Sequence, residues 1–227
     1  MRTLALVPLL MVVGCGSSNA SPSHPAEHHA HGHHGAGMHH RFDDPVAWSA
    51  TFDAAERDAW QMPDRVIETL ALPSSAEVAD LGAGTGYFSM RIARVVTEGH
   101  VHAIDLEPSM VRHLANRAAE EGLTNVLAIE GTATESGLSS PVDLVLVVDT
   151  FHHIDSRPTY FAALRAQLRP GGRVVIVDFR VESEMGPPAE FKIAPEAVEA
   201  EMREAGYRLA AAHTFLPEQY FLEFVAN

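Results

Sequence analysis

At 227 residues, with 46% hydrophobic and 20% charged side chains, the chain is long enough to bury one core, and about one domain remains once a leader and a linker are set aside. Sixteen basic against 30 acidic side chains give a formal charge of -14, so the surface repels phosphate backbones and nucleic acid is not expected as a partner. The single cysteine, Cys15, excludes disulfide scaffolds and thiolate metal cages, which need at least a pair of sulfurs.

Met1 to Val13 carry one positive charge, at Arg2, and then an apolar run from Leu4 to Val13 interrupted only by Pro8. The run is too short to cross a bilayer as a mature helix and reads as an export signal over residues 1–14. Its end, Val12-Val13-Gly14-Cys15, resembles the lipobox of bacterial lipoproteins. That resemblance implies diacylglycerol on the Cys15 thiol, loss of the leader, and a lipid-anchored protein of the bacterial cell envelope; the alternative is an incidental cysteine in a cytoplasmic protein. The stretch 15–40 has no periodic apolar face to offset the entropy of ordering, so a tether is expected, reaching about 30 Å from a membrane. It carries His24, His28, His29, His31, His33, His34, His39 and His40. Neutral imidazoles suit zinc, nickel or copper, so a divalent metal is an expected partner here, although no fixed ligand geometry is written into the spacing.

From Arg41 the texture changes. A helical cap is predicted over 41–75, with Trp48, Phe52, Trp60 and Met62 as either a lid or simple core, and with Pro63 opening an amphipathic helix through Val66, Ile67 and Leu70. Strands are predicted at Glu77 to Leu81, Val101 to Asp105, Val126 to Glu130, Val142 to Val148 and Arg173 to Asp178. They lack a polar face, as strands buried on both sides do. Helices are predicted between them: Tyr87 to Val95, then one opened by Pro108 and closed by Gly122, then one through Tyr160, Phe161, Leu164 and Leu168 with Asp155 as N-cap. Pro170-Gly171-Gly172 reads as a stop and turn. Strand followed by helix, repeated, predicts a doubly wound parallel sheet. The end differs: after a helix opened by Pro195 and Glu196, Arg208 to Leu216 and Gln219 to Val225 flank little more than Pro217-Glu218, which only antiparallel strands permit.

The first strand runs into Asp80-Leu81-Gly82-Ala83-Gly84-Thr85-Gly86, where glycines allow a tight turn and close approach of a ligand to the backbone. A dinucleotide fingerprint needs its third glycine at position 87, which is Tyr87. Asp80 sits badly beside a pyrophosphate and well beside a cation, and Asp105 ends the second strand where a carboxylate can accept both hydroxyls of a ribose. Together these describe a nucleoside without phosphates. These motifs resemble the class I S-adenosylmethionine-dependent methyltransferases, over about Ala76 to Asn227. The resemblance implies a Rossmann-like, doubly wound seven-stranded sheet with an antiparallel last strand, in three α/β/α layers (domain 76–227), and S-adenosyl-L-methionine as cofactor. It implies that Asp80, Gly82, Ala83, Gly84 and Gly86 contact the methionine part and ribose, that Asp105 binds the ribose diol, and that Leu106 flanks the adenine. Gly131-Thr132 stands where the family usually has Gly-Asp near the adenine amino group, so Thr132 departs from the pattern. Leu168-Arg169-Pro170-Gly171-Gly172 looks like the family's turn before its fifth strand.

Asp149-Thr150-Phe151-His152-His153-Ile154 follows the fourth strand directly. The carboxyl ends of strands one and four share a crevice in an open parallel sheet, so Asp149 is expected at the cofactor and, with His152 and His153, at the reacting methyl. Similar His-His-Ile or His-His-Leu runs occur in small-molecule members of the family. A histidine there can take a proton from the acceptor; the bland reading is that His153 packs at a helix start. Asp178 is a weaker candidate of the same kind. The expected activity is in-line methyl transfer to a small-molecule or membrane-associated acceptor. The alternatives are an exported binder of metal or ligand on a non-catalytic methyltransferase fold, and, last, a nicotinamide oxidoreductase.

Overall fold

The computed structural model describes Phe42 and residues 44–227; the expected leader, Cys15 and the histidine tract lie outside the described residues. Three short helices come first: α1 (Pro45–Phe52), α2 (Arg57–Gln61) and α3 (Pro63–Leu70). Asp44 caps α1 by accepting from the Val46 and Ala47 amides, both at 3.1 Å, and Pro45 stands where no amide is needed. No residue of α1 is buried, whereas α3 buries Pro63, Val66, Ile67 and Leu70.

The α/β region then alternates β1 (Glu77–Leu81), α4 (Ser89–Ala93), β2 (His100–Asp105), α5 (Pro108–Glu120), β3 (Val126–Glu130), β4 (Val142–Val148), α6 (Arg157–Leu164), β5 (Leu168–Phe179), α7 (Pro195–Glu204), β6 (Tyr207–His213) and β7 (Gln219–Ala226). The strands form one sheet in the order β3-β2-β1-β4-β5-β7-β6, with the first five parallel and β7 antiparallel to both of its neighbours. This is the Rossmann-like class I methyltransferase sheet that the sequence predicts. Alternation along β4 explains the layers. Val145 and Val147 join Phe161 of α6 and Val198 and Met202 of α7 on one face; Leu144, Leu146 and Val148 join α3 and Ile92 of α4 on the other.

Five local expectations change, the first being that α6 ends at Leu164, short of Leu168, which opens β5. The helix expected over Tyr87 to Val95 is regular only over α4. Asp155 does not cap α6: Ser156 occupies the N-cap in left-handed geometry (φ +48°), without a side-chain bond. Pro170-Gly171-Gly172 is not a stop but a bulge inside β5, because Leu168 already pairs with Val142 before the register resumes at Leu144 and Arg173. β6 ends at His213, so five residues, not two, join it to β7. Gly122 does close α5, with φ +69° and Leu123 N–H donating back to the Ala118 carbonyl at 2.8 Å. Among the described residues no helix is long and apolar enough to cross a membrane.

Candidate active site

The loop leaving β1 is shaped by its glycines. Gly82 has φ +76°, and a Cβ there would lie 2.2 Å from Thr150 Oγ1, so the loop packs directly on the residue after Asp149. The Gly82 and Ala83 amides both donate to the Ile104 carbonyl at 2.9 Å, which ties the loop to β2 and leaves the Ala83 N–H no further donor role. Asp105, at the end of β2, accepts from Gly84 N–H through Oδ2 at 2.8 Å and from Glu107 N–H through Oδ1 at 3.0 Å. Its carboxylate is thereby fixed, with an acceptor site left on each oxygen. Burial raises its pKa against those two amide bonds.

Asp80 is 3% exposed and is held by Ser89, whose Oγ donates to it at 2.6 Å and whose backbone also bonds it. Burial pushes its pKa to about 6; Ser89 and Arg57 pull it down, while Asp105 pushes it up. Thr85 Oγ1, inside the loop, is buried and makes no hydrogen bond. A left-handed glycine cradle, an unpaired hydroxyl within it and a carboxylate short of positive charge fit a cationic nucleoside and do not fit a diphosphate.

The second half of the crevice lies at the end of β4. Asp149 is held at φ +53°, a conformation that costs a non-glycine residue of order 1 kcal/mol or more. Its Oδ1 accepts from Gln219 Nε2, and its Oδ2 lies 3.5 Å from Arg57 Nη2. Arg57 Nε donates to Gln61 Oε1 at 3.1 Å, and Gln61 Nε2 donates to Gln219 Oε1 at 2.5 Å, which closes a ring of four side chains from α2, β7 and the β4 terminus. Burial pushes Asp149 to about 7; Arg57 opposes it, Asp178 adds to it, and His152 opposes it.

His152 Nδ1 stands 3.0 and 2.9 Å from the two oxygens of Asp178, at the end of β5, and both side chains are 4% exposed. Asp178 also accepts from Phe179 N–H at 2.8 Å. With Nδ1–H donated to the carboxylate, Nε2 is the nitrogen left to accept a proton. The His152 and His153 rings lie 4.1 Å apart, and an aromatic run continues through Phe42 (5.5 Å from His153), Trp48 and Phe52. Phe52 reaches within 3.5 Å of where a Gly84 Cβ would stand, and Trp60 packs on Phe179 at 5.5 Å. Trp48 and Phe52 are therefore a partly exposed cover beside the loop and not simple core.

The structure brings together Asp80, Gly82, Gly84, Gly86, Asp105, Asp149 and His152. Leu106 is 56% exposed just after Asp105. Thr132 is exposed, its Oγ1 accepting from the Glu135 amide at 3.0 Å within a turn. Three residues of the ring, Arg57, Gln61 and Gln219, escape the sequence reading, because no local pattern marks a residue whose partners are distant in the chain.

Residues 72–216 match the family model described as a methyltransferase domain. Among curated proteins, an uncharacterized methyltransferase of Mycobacterium bovis is 35% identical over 138 residues, 60% of this chain and 54% of that protein, so the chain spans about half the length of that relative. The solved structure of a SAM-dependent methyltransferase from Aquifex aeolicus superposes with a TM-score of 0.74 at 22% identity, covering 81% of this chain and 99% of that one. A glycopeptide N-methyltransferase complexed with (S)-adenosyl-L-methionine gives a TM-score of 0.61 at 19% identity, covering 73% and 87%. The fold is thus that of the SAM-dependent methyltransferases, and the chain belongs to the methyltransferase domain family.

Proposed function

We propose that the protein transfers a methyl group from S-adenosyl-L-methionine to a small-molecule or membrane-associated acceptor by in-line displacement. The observation that carries this reading is the Asp80–Gly86 loop joined to Asp105 through the Gly84 amide: a buried carboxylate, Asp80, and a half-buried one, Asp105, around a left-handed glycine turn. When bound, the donor supplies an electrophilic methyl on a sulfonium. The chain's own residues do the rest. Asp105 accepts the ribose hydroxyls, the Gly82–Gly86 backbone and Thr85 Oγ1 face the methionine part, Asp80 supplies negative potential, and Leu106 flanks the base. Asp149 and the His152–Asp178 pair stand at the transfer end, His152 Nε2 taking the acceptor's proton while Asp178 holds the ring. His153, Phe42, Trp48 and Phe52 exclude water. Alignment of this kind supplies about 7 to 11 kcal/mol of a barrier.

The same proposal places the protein at the envelope, anchored through Cys15, with the histidine tract free to take up divalent metal. A mass measurement of the mature protein from membranes tests the anchor: Cys15 as a lipidated amino terminus supports it, and an unprocessed Met1 contradicts it. Labelled donor incubated with envelope extract tests the activity. Methylated product supports it; donor binding without any product contradicts it.

The raised carboxylates give a pH dependence with a definite sign. Asp80 and Asp149 have folded pKa values of about 6 and about 7 against 3.8 for the free side chain. The folded state therefore holds protons that the unfolded chain has released, and the unliganded protein loses stability as pH rises from about 4 to 7. A cationic ligand favours the ionised forms, so donor affinity is expected to rise between pH 5.5 and 7.5, as read by calorimetry. Affinity that falls over that interval contradicts the carboxylate roles.

Asp178→Asn is expected to lower kcat by about 100 to 10,000-fold, the range that general-base assistance covers, while leaving donor affinity within about twofold. Equal losses in kcat and donor affinity would point to collapse of the crevice.

A further inference from the structure

Arg57 is a positively charged group in the crevice, beside Asp149. Its guanidinium is held from every side: Nη1 donates to the Phe52 carbonyl at 2.8 Å, Nε donates to Gln61, Nη2 faces Asp149, and its carbon lies 4.0 Å from the centre of the Tyr87 ring. The side chain is 12% exposed, and its two amide supports, Gln61 and Gln219, are fully buried. Its field reaches both Asp149 and Asp80. The other charged or titratable groups around it are Asp178 and His152 beyond Asp149, and Asp58 and Arg91 on the Tyr87 side. Among these the donor-side carboxylates, Asp80 and Asp149, share one resident cation.

On the reading that S-adenosyl-L-methionine occupies this crevice, we propose that Arg57 sets the balance between the cationic donor and its neutral demethylated product. Donor and product differ only by the methyl group and the positive charge at sulfur. Every contact they share, including any to the carboxylate end of the methionine part, cancels in the ratio of their dissociation constants. A cation already paired with Asp149 repels the sulfonium and leaves the thioether unaffected, so it shifts that ratio toward product. An Arg57 that merely anchored the shared carboxylate, or merely fixed α2 to the sheet, would change both constants together.

The test is titration calorimetry of the full chain with S-adenosylmethionine and with S-adenosylhomocysteine at pH 8, at one ionic strength. Arg57→Gln, which keeps hydrogen-bonding atoms but no charge, is expected to lower the donor-to-product ratio of dissociation constants about tenfold, or about 1.4 kcal/mol. Arg57→Lys is expected to hold the ratio within about twofold. Asp149→Asn, which strips the guanidinium of its partner, is expected to raise the ratio about fivefold or more. A ratio unmoved in Arg57→Gln, whether or not both affinities fall, overturns the proposal; if that variant does not fold, an unmoved ratio in Asp149→Asn overturns it alone. Wild-type protein that binds neither compound defeats the donor reading itself, a result distinguishable from failure of the Arg57 role.

Discussion

Gly82→Ala is expected to destabilise the protein by about 2 to 5 kcal/mol and to abolish measurable donor binding. Two costs add. An alanine held at φ +76° loses roughly 1 to 2 kcal/mol relative to glycine, and its Cβ would stand 2.2 to 2.8 Å from three Thr150 side-chain atoms, an overlap of the kind that costs about 1 to 3 kcal/mol to relieve. Relief requires moving either Thr150, which carries Asp149 with it, or the loop, which breaks the paired amide bonds to the Ile104 carbonyl. Either movement displaces one half of the crevice from the other. Scanning calorimetry should show the unfolding temperature lowered by about 5 to 15 °C. An unfolding temperature and donor affinity both equal to wild type would show that the loop does not depend on this contact.

Asp105→Ala is the second large effect, expected to weaken donor binding by about 1.5 to 3 kcal/mol, the range for hydrogen bonds to a charged group. The loss has two sources in the structure. The ribose hydroxyls lose their acceptor, and the Gly84 amide, which gives its hydrogen to Asp105 Oδ2, is left to water. Asp105→Asn keeps an acceptor oxygen and separates them: affinity between those of wild type and Asp105→Ala is expected from calorimetry, at nearly wild-type stability. Donor affinity unchanged in both variants would remove Asp105 from the binding site.

The sheet is legible in the chain because β1, β2 and β4 are buried on both faces, so Val78 and Ala79, Val101, Ala103 and Ile104, and Leu144 to Val148 carry short apolar stretches through them, and the half-exposed β3 keeps only Glu130 as a charge. The glycine loop is legible because a left-handed backbone at Gly82, Gly84 and Gly86 selects the residue type directly. Legibility fails where a paired strand absorbs a turn. Pro170 and the left-handed Gly171 look like a boundary, yet the ladder to β4 resumes across them as a bulge. It fails again at Ser156, whose N-cap position comes from the left-handed turn after the short 3-10 turn at Phe151–His153 and not from a side-chain hydrogen bond.

The candidate site divides in the same way. Asp80, Asp105 and Asp149 are readable because each stands within one residue of the end of a parallel strand, the place where the sheet delivers side chains to its crevice. The sequence leaves the two histidines undivided; the structure assigns His152 to Asp178 and His153 to the aromatic run. Gln219 opens a strand and Arg57 opens a five-residue helix, positions where polar residues are ordinary. Only the closure of the chain over the sheet makes them partners of Asp149.

The most direct test of the central claim is a crystal structure of the full chain with S-adenosylhomocysteine. The ribose hydroxyls are expected on Asp105, with the amino-acid part against the Gly82–Gly86 backbone and Thr85. A nucleoside bound elsewhere, or a diphosphate seated on the glycine loop, would contradict it.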